Sequence, residues 1–296
     1  MSQQEVWTVK RLLEWTTLRF TKQSIDSAQL EASLLLAAAM GIKRIELYMK
    51  YDSIPAEAVL TKFREFVKRR LADEPVAYIL GSREFFSLSF EINKNVLIPR
   101  PETEDLVIKT LDILKTLPEN TRPRLCDAGT GSGAIAVAAA KNWSKHLAAP
   151  TDENKIIAVD IDENALSLAK TNAEKNGVAD RIEFIQSDLL ENTEGTFDII
   201  VSNPPYISQS EYDALPPLVK NYEPQLALLA GNKGTEVIEK IAAQAAEKLN
   251  SGGTLLLEIS PFIADFVRKL LLPNWNEVEI LKDSFKRDRI AVAVKR

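Results

Sequence analysis

The spacing of apolar and polar positions changes twice along the chain. In SIDSAQLEASLLLAAAMG, Ser24 or Asp26 stands where a helix cap belongs, Leu and Ala fill the interior, and Gly41 marks the stop. Pro55 opens a further helical stretch, PAEAVLTKFREFVKRRLADE. Val59, Phe63, Phe66 and Val67 share one face there, and Lys62, Arg64, Lys68, Arg69 and Arg70 lie mostly off it. The period then drops to two, with Phe86, Leu88, Phe90 and Ile92 alternating with Ser87, Ser89 and Glu91 as in a half-buried strand. Asn93-Lys94-Asn95 predicts a turn into a short second strand, Val96-Leu97-Ile98, stopped by Pro99.

Beyond residue 100, strand and helix patterns alternate. RLCDAG, KIIAVDI, IEFIQSD, FDIIVSN and GTLLLEI read as strands, with helical stretches such as ETEDLVIKTLDILKTL and TEVIEKIAAQAAEKL between them. This predicts an α/β fold with a doubly wound, mostly parallel seven-stranded sheet. Its last two strands, EVEILKD and RIAVAVK, are joined by a short loop and are therefore expected to be antiparallel. The expected domains are a small all-helical one over 1–82, a β-hairpin linker over 83–99, and the sheet domain over 100–296.

Composition narrows the chemistry. At 45% hydrophobic and 27% charged, the chain is that of a soluble globular protein. A net charge of −5 argues against bulk attraction to nucleic acid, and the slight excess of Lys and Arg over acids is confined to residues 1–85. Cys126 and His146 are the only residues of their types, too few for a disulfide framework or a Cys/His zinc site, so no metal is expected. Cys126 reads as core filler and His146 as a surface residue. No apolar run approaches the roughly 18 residues of a membrane span, and the N-terminus lacks a signal-like apolar core. A cytoplasmic location is expected.

The first candidate site is LCDAGTGSGAIA. Gly129, Gly131 and Gly133, with Thr130 and Ser132 between them, follow Asp127 at a strand-to-helix turn, where backbone can approach a ligand and helix N–H groups lie open. The spacing lacks the two-residue gap of the dinucleotide fingerprint, and no Gly-Lys-Ser/Thr follows. Asp160 ends the next strand, where a carboxylate can accept two ribose hydroxyls. Asp188 ends the one after, within reach of an adenine edge. Singly, each acid reads as a helix cap; three in register with a glycine turn suit a phosphate-free nucleoside carrying a cation, such as S-adenosylmethionine.

The second is VSNPPYIS. Two prolines end strand pairing and fix φ twice, holding the Asn203 side chain and the Pro204 carbonyl toward the crevice. Those two acceptors match the two hydrogens of a planar –NH₂, Pro205 stiffens the turn, and Tyr206 offers a face for stacking. An amide or aromatic amine nitrogen is a poor nucleophile, so positioning is the available lever.

Asn203-Pro204-Pro205-Tyr206 together with DAGTGSG resembles the amino-methyltransferases that use S-adenosylmethionine on planar nitrogens of DNA, RNA or protein glutamine. Upstream, EPVAYILGSREFFSLSF and VLIPRPETEDLV resemble the release-factor glutamine methyltransferases, the PrmC/HemK family. The ribosomal-protein branch usually carries Pro-Arg-Ser-Pro where this chain has Pro99-Arg100-Pro101-Glu102. NYEPQLALLAG and KRDRIAVA extend the resemblance over nearly the whole chain. It implies that Gly129 to Gly133, Asp160 and Leu189 contact S-adenosylmethionine, and that Asn203 to Tyr206 hold a glutamine, with Asn203 also near the cofactor. The implied substrate is the Gly-Gly-Gln glutamine of class I peptide chain release factors, with the helical domain over 1–82 as its recognition module; a monomer with no stable nucleic-acid partner is expected. A base-directed amino-methyltransferase, using the basic segment Lys62 to Arg70, a ribosomal-protein enzyme and a non-enzymatic adaptor are the alternatives. Leu189, Ser260 and Lys286 depart from the family pattern, the last two standing where glycine is common.

Overall fold

The computed structural model describes residues 6–118, 122–143, 155–273 and 275–296; His146 lies outside them. The chain divides into two compact units, Met1–Gly81 with Pro217–Tyr222, and Ser82–Pro216 with Glu223–Arg296.

The first unit is helical: α1 (Val9–Thr21), α2 (Ala28–Met40), α3 (Glu46–Met49), α4 (Glu57–Leu71) and α5 (Val76–Leu80). Val9, Phe20, Leu35, Leu36, Phe63 and Val67 form its core. Helix α2 begins one residue after Ser27, later than Ser24 or Asp26, because Ser24 turns the chain with φ +59°. Gly41 ends it in the left-handed conformation, as its position predicts. The basic run on α4 is partly internal. Arg70 is buried against Glu31 (Nε to Oε2, 2.6 Å), and Arg69 Nε donates to Glu74 Oε2 at 2.7 Å. From the distant segment, Tyr222 Oη donates to the Ala72 carbonyl at 2.6 Å.

The second unit opens with the hairpin β1 (Ser82–Phe85) and β2 (Leu88–Glu91). The hairpin turn therefore falls at Phe86-Ser87; Asn93-Lys94-Asn95 does form the expected turn, with the Val96 amide donating to the Asn93 carbonyl at 3.2 Å, but Val96-Leu97-Ile98 after it is not a strand. Phe86 and Ser87 both have positive φ, +52° and +58°, the two left-handed positions of a tight hairpin turn. No glycine marks the place, so the alternation of Phe86 with Leu88 read as one continuous strand. The Ile98 amide instead donates to the buried carboxylate of Glu223 at 3.2 Å, which also binds Arg100.

The rest comprises α6 (Glu102–Thr116), β3 (Leu125–Ala128), α7 (Ala134–Asn142), β4 (Ile156–Asp160), α8 (Glu163–Lys175), β5 (Ile182–Gln186), β6 (Phe197–Ser202), β7 (Ile207–Ser208), α9 (Gln209–Asp213), β8 (Leu229–Gly231), α11 (Glu236–Lys248), β9 (Leu249–Glu258), α12 (Ala264–Leu271), β10 (Trp275–Lys282) and β11 (Asp288–Lys295); α10 (Pro217–Lys220) belongs to the helical unit. The seven-stranded sheet runs β10-β11-β9-β6-β3-β4-β5. β11 is antiparallel to both neighbours and the other pairings are parallel, matching the predicted doubly wound sheet. Cys126 is fully buried in its core. The strands proceed outward from β3 through β4 to β5, then return to β6 on the other side of β3. That reversal opens a crevice at the carboxyl ends of β3 and β6, where the glycine turn and Asn203 emerge.

Candidate active site

A cavity of about 420 Å³ occupies this crevice. The glycine turn forms one wall, and each glycine has its own reason to lack a side chain. Gly129 and Gly131 have φ of +73° and +55°, with open space where a Cβ would stand. Gly133 has φ +80°, and a Cβ there would lie 3.1 Å from the Cβ of Ala169 on α8. Gly129, Thr130, Gly131 and Ser132 line the cavity and Gly133 does not; its role is close packing of turn against helix.

Asp127 does not line the cavity either. Its Oδ2 accepts from the Thr130 hydroxyl at 2.6 Å and the Ala136 amide at 3.0 Å, which fixes the turn from behind. Its Oδ1 is buried without a partner among the described residues. Burial raises this carboxyl to about 7, against the opposing pull of those two donors. Asp160 does reach the cavity, while also accepting from the Gly131 amide (Oδ2, 2.8 Å) and the Asp162 amide (Oδ1, 3.0 Å). It keeps lone pairs for hydroxyl donors, and burial raises its pKa.

Asp188 and Leu189 line the cavity beside α11. One Asp188 oxygen is occupied by Lys240 Nζ at 2.6 Å, a partner that the sequence pattern did not suggest. Lys240 also reaches Glu191 at 2.8 Å, and so draws the loop after β5 onto α11. Leu189 holds φ +53°.

Ser202 donates to the Ala128 carbonyl at 2.6 Å, tying the end of β6 to β3. The chain then turns at Asn203, Pro204 and Pro205, all three at the cavity. Asn203 Nδ2 donates to Thr103 Oγ1 at 3.1 Å, and Thr103 in turn donates to Glu258 Oε2 at 2.7 Å. Tyr206 does not line the cavity. Its ring packs on the main sheet core, where burial and the nearby Glu258 push its pKa up to about 12. Thr103 and Glu258 carry no motif signal in the sequence, because 100 and 55 positions of chain separate them from Asn203 and only the fold brings them together.

The two departures at family glycine positions have different consequences. Ser260 adopts φ −72°, which any residue tolerates, and its hydroxyl accepts from the Phe262 amide at 3.3 Å. Lys286 holds φ +65°, the conformation for which glycine is suited.

The open glycine cradle, the cavity-facing Asp160 and the absence of a cationic phosphate clamp on the turn fit S-adenosylmethionine. Fold and site together define a class I S-adenosylmethionine-dependent methyltransferase. Residues 11–81 match the family model described as PrmC N-terminal domain, and residues 108–227 the one described as Methyltransferase small domain. The release factor glutamine methyltransferase of Rhodopirellula baltica is 47% identical over 289 residues, covering 96% of this chain and 95% of that one. That of Chlorobaculum tepidum is 36% identical, covering 98% of both chains. The chain belongs to the release factor glutamine methyltransferases. Its fold is also similar to that of the hMettl16 catalytic domain solved with the MAT2A 3'UTR hairpin 1, with a TM-score of 0.54, 21% identity, and coverage of 76% of this chain and 80% of that one. Among the described residues, no helix is long and apolar enough to cross a membrane.

Proposed function

We propose that this enzyme transfers a methyl group from S-adenosylmethionine to the side-chain amide nitrogen (N5) of the Gly-Gly-Gln glutamine in class I peptide chain release factors. It acts as a cytoplasmic monomer without a stable nucleic-acid partner, and the helical domain over 1–82 recognises the protein substrate. The observation that carries this reading is the orientation of Asn203. Its nitrogen is given to Thr103, so its carbonyl oxygen is the end left to receive an N–H.

When bound, S-adenosylmethionine supplies an electrophilic methyl on a positively charged sulfur. Asn203 Oδ1 and the Pro204 carbonyl accept the two hydrogens of the substrate –NH₂ and set the direction of its lone pair. Pro204 and Pro205 hold those acceptors without a conformational search. Gly129, Thr130, Gly131, Ser132, Asp160, Asp188 and Leu189 bind the cofactor. Asp127 and Gly133 support that wall from behind, and Tyr206 anchors the turn to the core. Internal pairing of Arg69 and Arg70 favours a structural role for the basic run over contact with nucleic acid. Incubation with methyl-labelled cofactor and a purified release factor tests the reading: label is expected in the wild-type factor, and its persistence after the Gly-Gly-Gln glutamine is replaced rejects the assignment.

A further inference from the structure

We infer that Thr103 and Glu258 are positioning residues that fix which end of the Asn203 amide faces the cavity. Here the Asn203 oxygen is taken, as in the proposed function, to be the group that receives the substrate N–H.

A threonine hydroxyl has one proton and two lone pairs. Thr103 places its proton on Glu258 Oε2 at 2.7 Å, and so can only accept from Asn203, whose Nδ2 stands 3.1 Å away. An ionised carboxylate at the far end makes this direction obligatory, because it has no proton to offer. Thr103 and Glu258 are 4% and 1% exposed, so water does not compete for either group. Protonation of Glu258 lifts that constraint: the acid can then donate to Thr103, which frees the hydroxyl proton for Asn203 Oδ1 and lets the amide turn its –NH₂ toward an incoming –NH₂.

The fold builds this relay from three elements. Glu258 ends β9, Asn203 follows β6, the strand paired with it, and Thr103 lies in the first turn of α6. The ionisable groups around Glu258 are Arg289 of β11, Arg100 and Glu102 at the start of α6, and Tyr206 after β6. Burial pushes Glu258 up to about 7, opposed by the Thr103 hydroxyl, Arg289 and Arg100. Glu102 is held by Arg287 at 3.0 Å, and the raised Tyr206 stays neutral through this range.

The test follows the ¹⁵N-labelled side-chain amide of Asn203, assigned by its loss in Asn203→Ala, across pH in the free enzyme. In the wild type its two protons are expected to shift together with a midpoint near 7. Thr103→Val is expected to abolish that transition, Thr103→Ser to restore it, and Glu258→Gln to remove the titrating group. In methyl transfer, Thr103→Val is expected to lower kcat about 10–10²-fold, by analogy with loss of a hydrogen-bond partner that orients a metal ligand, with cofactor affinity unchanged. Thr103→Ser should recover most of that loss. A transition that persists unchanged in Thr103→Val overturns the relay, as does a Thr103→Ser enzyme no better than Thr103→Val or a parallel loss of cofactor affinity. The spectroscopic arm needs no release factor, so failure of the proposed substrate and failure of the relay give separate results.

Discussion

The Gly131 amide donates to Asp160 Oδ2 at 2.8 Å, so an acid that lines the cavity also holds the glycine turn beside it. One residue thereby shapes the site and lines it. Asp160→Ala is expected to weaken cofactor binding by about 10–10²-fold, in line with roughly 1.5–3 kcal/mol for a hydrogen bond to a charged group. Titration calorimetry with S-adenosylmethionine checks this; an affinity within twofold of wild type means the turn is held without Asp160.

Gly133 is where the turn meets α8. Gly133→Ala forces a left-handed φ on alanine and brings its Cβ to 3.1 Å from the Cβ of Ala169, so a loss of about 1–3 kcal/mol is expected in denaturant unfolding. Adding Ala169→Gly relieves the contact but not the backbone, and partial recovery is expected.

Asp127 gives stability a pH dependence of definite sign. Its carboxyl is raised to about 7 in the folded state, so the folded chain binds more protons than the unfolded one between roughly pH 4 and 7. Its contribution is fully present below about pH 4 and is lost as pH rises toward 7. Asp127→Asn is expected to gain in melting temperature relative to wild type between pH 5 and 8. A difference that stays constant across that range contradicts the assignment.

Asn203→Ala removes one preorganised acceptor. Turnover is expected to fall about 10²–10³-fold, by analogy with loss of an oxyanion-hole donor, while cofactor affinity changes far less. Stopped-time methyl transfer at saturating cofactor measures it, and near-normal turnover places the substrate amide elsewhere.

Much of the sheet domain was legible because its strands are short apolar runs ending in acids or glycine, a local pattern that survives folding unchanged. The hairpin was misplaced because its turn uses Phe86 and Ser87 in left-handed conformations that composition does not announce. That Asn203, Gly131 and Asp160 come together at one cavity could be expected from motif chemistry alone. Asp127, Gly133 and Tyr206 belong to the same motifs yet do not line the cavity, a distinction that depends on packing the motif alone does not carry. Lys240, Thr103 and Glu258 carry no local signal, since each acts on a residue more than 50 positions away.

The central claim is that the Asn203 clamp holds the amide of one glutamine in a release factor. Fragment-ion mass spectrometry of a class I release factor, treated with the enzyme and S-adenosylmethionine, tests it directly. The account predicts a single methyl on the side chain of the Gly-Gly-Gln glutamine, and none after reaction with Asn203→Ala under the same conditions. A methyl on any other residue, or an unmodified glutamine after reaction with an enzyme shown to bind cofactor, contradicts it.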